Sequence, residues 1–145
     1  MQIDADPQND FAGAKLALYL GGELAVILRD DVPGLEYPGY WDLPGGGREN
    51  DETPVACALR ECREELGLCV PLKRIVWARP FSESEGTKWF FVAEMPAAAV
   101  DDIRFGDEGQ RWALMGDREY LGHPKAIPAF QERLKLWLEL RGSAD

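Results

Sequence analysis

Glu61, Glu64 and Glu65 stand at positions i, i+3 and i+4, with Arg60 directly before them. On a helix this spacing gathers three carboxylates on one face, because side chains three and four residues apart are neighbours. Like charges so crowded repel one another, and a hard divalent cation bound through oxygen is the natural relief. Helix signals surround the acids. Thr53 is a candidate N-cap, Pro54 suits the first helical position and Gly67 suits the residue just past the end, which predicts a helix from about Pro54 to Leu66. Val55, Leu59, Cys62 and Leu66 fall on a different face, so that stripe can pack on a sheet while the carboxylates look into a cleft. Just upstream, residues 41–47 (WDLPGGG) read as a tight loop that exposes its backbone, because Pro44 and three glycines punctuate it. A solvated acidic helix accounts for Glu-x-x-Glu-Glu alone, but not for such a loop in front of it.

The full pattern is longer. Gly46, Glu52, Arg60, Glu61, Glu64, Glu65 and Gly67 follow the spacing Gly-x5-Glu-x7-Arg-Glu-U-x-Glu-Glu-x-Gly-U, with Cys62 and Leu68 in the two apolar U places. If each of the seven fixed residues occurred at its average frequency of roughly one in fifteen, a chance match at a given start would be on the order of one in 10^8. Over these 23 of 145 residues the chain resembles a Nudix hydrolase. The resemblance implies an α/β fold, an α/β/α sandwich around a central mixed sheet. It implies hydrolysis of a nucleoside diphosphate linked to another moiety, with water attacking a phosphorus. It further implies that Glu61, Glu64 and Glu65 hold Mg2+ or Mn2+, that the Gly46 carbonyl adds a ligand, that Arg60 pairs with a motif glutamate, and that Glu52 reaches the metal through water.

A further carboxylate outside the motif commonly completes such a site or serves as base. Glu108 is our expectation, since residues 107–110 (DEGQ) precede an apolar strand and resemble the Glu-Gly-Gln segment that supplies this group in MutT-like members. Glu83 and Glu85 are the rivals. The expected catalytic set is thus Arg60, Glu61, Glu64 and Glu108, and the expected metal set Gly46, Glu52, Glu61, Glu64, Glu65 and Glu108. Arg29, at the end of a strand, could reach a phosphate or serve only the surface. Tyr37, Tyr40, Phe81 and Trp89 could stack on a base, although such aromatics more often belong to the core. Cys57, one turn before Glu61, reads as a small packing residue.

The elements that must position these groups follow from periodicity. Residues 15–20 and 24–29 are apolar runs separated by Gly21-Gly22, a β-hairpin. Residues 30–40 form a loop leading to a short strand at 41–43. Strands are predicted over 72–79 and 88–95, joined by a turn at 82–86, and another over 110–115. A second helix is predicted over 124–141, with Ile127, Phe130, Leu134, Trp137 and Leu138 on one face and Pro128 able to delay its start.

Composition narrows the function. The chain is 46% hydrophobic and 29% charged, has room for one domain over 1–145 with a polar tail at about 1–12, and shows no apolar run near the ~20 residues a membrane helix needs. Its net charge of −10 disfavours a broad nucleic-acid or anionic-membrane surface, yet allows small phosphorylated substrates bridged by metal ions. The odd count of three cysteines and the polar N-terminus point to a reducing cytoplasm without a disulfide framework. No serine stands in a nucleophile elbow, nothing brings Cys57 to the single His123, and no EF-hand loop occurs. The expected partner is a small nucleotide, with the chain a monomer or homodimer. The Glu-Gly-Gln likeness leans toward a nucleoside triphosphate pyrophosphohydrolase. The alternatives are hydrolysis of nucleotide sugars, ADP-ribose or RNA 5′ ends, and a nucleotide-sensing module without turnover.

Overall fold

The computed structural model describes residues 10–144, with residues 143 and 144 described by their backbone alone. Strands β1 (Gly13–Leu20) and β2 (Glu23–Leu28) form the expected hairpin. Gly21 (φ 60°) and Gly22 (φ 96°) both take positive φ, the conformation a two-residue hairpin turn demands and glycine allows. The two strands pair only next to this turn, at Tyr19 with Leu24 and Leu20 with Glu23. Beyond that they part, and residues 41–47 enter the fork: β3 (Trp41–Asp42) pairs with β2 while β4 (Gly45–Gly47) pairs with β1. The expected glycine loop is therefore partly strand. Its glycines are required by close approach, since a Cβ on Gly45 would lie 2.2 Å from the Ala14 carbonyl oxygen.

The sheet is completed by β5 (Ile75–Glu83), β6 (Gly86–Met95) and β7 (Arg111–Met115). Among the described residues strand β6 runs parallel to β1, every other pairing between strands is antiparallel, and seven strands form one mixed sheet. Alternation along β1 sends Leu16, Leu18 and Leu20 to one face and Ala17 and Tyr19 to the other. Helix α1 (Pro54–Leu66) covers the first face through Val55, Cys57, Ala58, Cys62 and Leu66, with Leu59 partly buried beside them. Helices α2 (Asp117–Gly122) and α3 (Pro128–Ala144) cover the second through Tyr120, Leu134, Trp137 and Leu138. The result is the expected α/β/α sandwich.

Helix α1 has the predicted bounds. The Thr53 side chain accepts a hydrogen bond from the Ala56 amide at 3.3 Å, and Gly67 ends the helix at φ 69°. Elsewhere the boundaries move. Leu72–Arg74 is a 3-10 turn before β5, the β5–β6 turn shrinks to Ser84 and Glu85, and α3 starts at Pro128, where a proline suits the first turn. The six-residue α2 was not expected. Of the anticipated tail, residues 1–9 lie outside the described residues, and Phe11 is buried against the α1 side of the sheet. Among the described residues no helix is long and apolar enough to cross a membrane. Gly45→Ala is expected to destabilise the protein by roughly 3 kcal/mol in urea unfolding, because it adds overpacking to a backbone conformation (φ 142°) suited only to glycine.

Candidate functional site

Arg60 is the centre of the acidic helix face. Its Nε donates to Glu52 Oε2 at 2.5 Å, Nη1 donates to Glu61 Oε2 and Glu64 Oε1 at 3.0 Å each, and Nη2 donates to the Gly47 carbonyl at 2.9 Å. With Glu49 Oε2 3.4 Å from Nη1, one guanidinium thus gathers four glutamates and ties α1 to β4. Glu52 is also fixed by the Glu49 amide at 2.9 Å. Burial opposes ionisation of Glu52, but the Arg60 hydrogen bond and that amide together hold its carboxyl below the usual range. Burial pushes Glu61 up, and the nearby Glu64 adds to this while Arg60 opposes it.

Glu65 faces inward. It accepts from the Gly45 amide at 2.8 Å, and burial pushes its carboxyl up to about 7 despite nearby Lys15. Gly46 lies beneath Glu61, where a Cβ would stand 2.6 Å from the Glu61 carboxyl carbon. Only glycine leaves the carboxylate that space. The Cys57 thiol contacts the Gly46 and Gly47 carbonyls at 3.6 and 3.5 Å, and burial raises its pKa to about 12, which makes it a packing group rather than a nucleophile. All three cysteines are free.

Glu108 reaches the same cleft from the other side. The Arg104 amide donates to Leu66 O at 2.7 Å and the Gly106 amide to Glu65 O at 2.9 Å, so this segment closes the C-terminal end of α1. Three residues later the Gly109 amide donates to Asp30 Oδ2 at 3.3 Å, and the Gln110 amide donates to Leu28 O at 2.8 Å. Glu108 is held between α1 and β2 by these anchors, and it shares a chamber of about 360 Å3 with Glu61 and Glu65.

A second chamber, of about 410 Å3, adjoins the first. Lys15, Arg29, Asp42, Gly46 and Gly47 line both. The two differ in charge: among the described residues, five acidic and two cationic ones line the chamber of Glu61, whereas four of each line its neighbour, which makes the first attractive to cations and leaves the second balanced. Glu83 and Glu85 line the balanced chamber, where Arg133 bonds Glu83 and Lys88 stands 3.8 Å from it. Glu64 points outward, with its side chain 53% exposed. Tyr37 lines the balanced chamber, as does Phe130. Trp89 instead stacks on Phe91 in the core, Phe81 packs edge-on against Phe90, and Tyr40 lies 5.2 Å from Tyr37 between ring centres. His123 accepts from the Lys125 amide through Nδ1 at 2.9 Å, a turn contact.

Lys15, Asp42 and Arg133 were missed at the level of sequence. Only Arg133 carries a local signal, a cation set into the apolar stripe of α3 between Phe130 and Leu134. Lys15 and Asp42 meet across 27 residues, which periodicity does not reveal.

The donor set fits a hard divalent cation: carboxylates of Glu61, Glu64 and Glu65 with the Gly46 carbonyl, all oxygen, and Glu108 across the chamber. Among the described residues no three His, Cys, Asp or Glu side chains stand close enough to hold a metal as they are arranged here. In this arrangement Arg60 Nη1 bridges Glu61 and Glu64, and Glu65 accepts from the Gly45 amide.

The family model for the NUDIX domain matches residues 20–133. The chain belongs to the Nudix family. It is 33% identical over 98 residues to an RNA pyrophosphohydrolase of Gluconobacter oxydans (strain 621H), covering 66% of this chain and 49% of that protein. The chain spans about half the length of the RNA pyrophosphohydrolases it matches, 49% and 52%. It is 50% identical over 32 residues to an 8-oxo-dGTP diphosphatase of Proteus vulgaris, covering 22% of this chain and 29% of the relative. The crystal structure of a MutT protein from Methanosarcina mazei Go1 superposes with a TM-score of 0.72 at 20% identity, covering 92% of this chain and 97% of that one. That similarity concerns the fold.

Proposed function

We propose that this protein is a divalent-cation-dependent hydrolase of the phosphoric anhydride bond in nucleoside diphosphate derivatives, acting on a nucleoside triphosphate to release pyrophosphate. The observation that carries this reading is the polarity of the cleft: Glu61, Glu65 and Glu108 line an acidic chamber that opens directly into a charge-balanced one containing Phe130 and Tyr37. A substrate can lay its phosphates at the seam and its nucleoside in the balanced chamber. The bound cation, Mg2+ or Mn2+, would supply neutralisation of phosphate oxygens and a lowered pKa for water. Glu61, Glu64 and Glu65 hold it with the Gly46 carbonyl, Glu52 assists from one turn away, and Arg60 keeps three of these carboxylates in register. Arg29 is the candidate substrate contact. All seven fixed motif residues are present, which favours turnover over a sensing module.

Glu108 is the proposed proton acceptor or last ligand. Glu108→Gln is expected to lower kcat by at least ~10-fold, with Glu83→Gln and Glu85→Gln mild, because Glu83 is already engaged by Arg133 and Lys88. Free replacement of Glu108 with a sensitive Glu83 would move the role to the β5–β6 turn.

RNA 5′ ends are the second reading, favoured by the relatives of that name and opposed by the net charge of −10. A screen of products by anion-exchange chromatography over nucleoside triphosphates, 5′-triphosphate RNA, nucleotide sugars, dinucleotides and ADP-ribose separates them. Free triphosphates are expected to turn over fastest. No cleavage of any member with either cation would refute the hydrolase reading.

A further inference from the structure

Arg29 stands where the two chambers meet, and its guanidinium is already aimed. Nε donates to the Glu36 carbonyl at 2.9 Å and Nη1 to Asp42 Oδ2 at 3.0 Å. Nη2 hydrogen-bonds to none of the described residues, and the side chain is 25% exposed. Lys15 holds the same carboxylate from the other side, donating to Asp42 Oδ1 and Oδ2 at 3.0 and 3.2 Å and to the Leu43 and Gly45 carbonyls. Asp42, its side chain 9% exposed, is therefore one buried negative charge shared by two cations.

A structural ion pair needs one cation. Here a second is held within the same cluster, giving a net positive charge in a protein whose total is −10, and Arg29 lines both chambers. The anion suited to a planar donor pair with an ammonium beside it is a phosphate. The cation-binding chamber cannot provide this alone, because its other ionisable lining residues are all acidic.

We infer that Arg29 is a phosphate-binding node that works without a divalent cation, Lys15 adding only its charge because its donors are taken by Asp42 and the Leu43 and Gly45 carbonyls, and that Asp42 is the positioning residue that aims it. The inference rests on reading the cleft as a phosphoric anhydride site. It places one substrate phosphate on Arg29, the bond to be cut toward Glu61 and Glu65, and the linked moiety toward Phe130.

The test is calorimetric binding of inorganic tripolyphosphate to the intact protein in EDTA at low salt. Wild type should bind, Arg29→Met should weaken binding by about 10-fold or more, and Arg29→Lys should restore it only in part, since an ammonium cannot span both Glu36 and Asp42 while facing the ligand. Asp42→Asn should weaken binding by about fivefold, although removing a negative charge beside an anion would by itself tighten it. In the Arg29→Met background Asp42→Asn should add nothing, because the group it aims is gone. Arg118→Met, an exposed cation away from the cleft, should match wild type. The node is overturned if wild type does not bind, if Arg29→Met binds like wild type, or if Asp42→Asn binds more tightly. Should Asp42→Asn lose its near-ultraviolet circular dichroism, the Arg29→Met and Arg29→Lys pair decides. Binding in EDTA with no turnover of any substrate would count against the hydrolase alone, and turnover without such binding against the node alone.

Discussion

Glu64→Gln and Glu65→Gln are each expected to lower kcat by at least ~100-fold on the best substrate while leaving the protein folded. Each change removes a charged oxygen donor from the acidic face of α1 and no core contact. Steady-state kinetics with saturating Mg2+ provides the check, and a loss below about threefold would remove the metal-site assignment. Glu65 adds a stability signature. Its folded pKa is raised to about 7 by burial, so between the ordinary carboxylate range and about 7 the native state binds more protons than the unfolded chain. Stability of the metal-free protein should therefore fall as pH rises through this window. Glu65→Gln should flatten that slope, and added Mn2+ should offset it by stabilising the ionised carboxylate.

Arg60→Ala should reduce both activity and stability, the first by at least ~10-fold and the second by about 2–3 kcal/mol at neutral pH. The physical reason is the number of partners left behind: Glu52, Glu61, Glu64 and the Gly47 carbonyl all lose a donor, and the side chains of Glu52 and Glu61 are only 16% and 14% exposed. Arg60→Lys should rescue only part of both effects, since one ammonium cannot reproduce a fork that reaches the Glu52 loop, β4 and two turns of α1. Urea unfolding and kinetics on the same preparations separate the losses. Wild-type behaviour of the lysine variant would contradict the orienting role.

Helix α1 was legible because its signals are local. Thr53, Pro54 and Gly67 mark its ends, and the 3.6-residue period sorts the acids from Val55, Cys62 and Leu66. The hairpin was legible for the same reason, through Gly21 and Gly22. Strand β4 was not, since three glycines carry no periodicity; they are strand only because β1 parts from β2 and the chain fills the fork. The six-residue α2 is too short to show a period at all. Within the site, Arg60 and its glutamates lie within one stretch of sequence. The Lys15–Asp42–Arg29 cluster and the Arg133–Glu83 pair depend on contacts across the fold, as far as 50 residues apart, which no local pattern encodes. Glu108 is intermediate: its Glu-Gly-Gln context was readable, but its place opposite Glu61 comes from Gly106 closing α1 and Gly109 packing on β2.

If the acidic face of α1 holds a divalent cation against a substrate phosphate, as proposed, the anomalous scattering of Mn2+ in crystals grown with a non-hydrolysable nucleoside triphosphate analogue will show it directly. A peak is expected within bonding distance of Glu61, Glu64, Glu65 and the Gly46 carbonyl, with Arg60 withdrawn from the space between Glu61 and Glu64. Manganese bound instead by Glu83 and Glu85, or an analogue seated in the cleft with no manganese on α1, would contradict it.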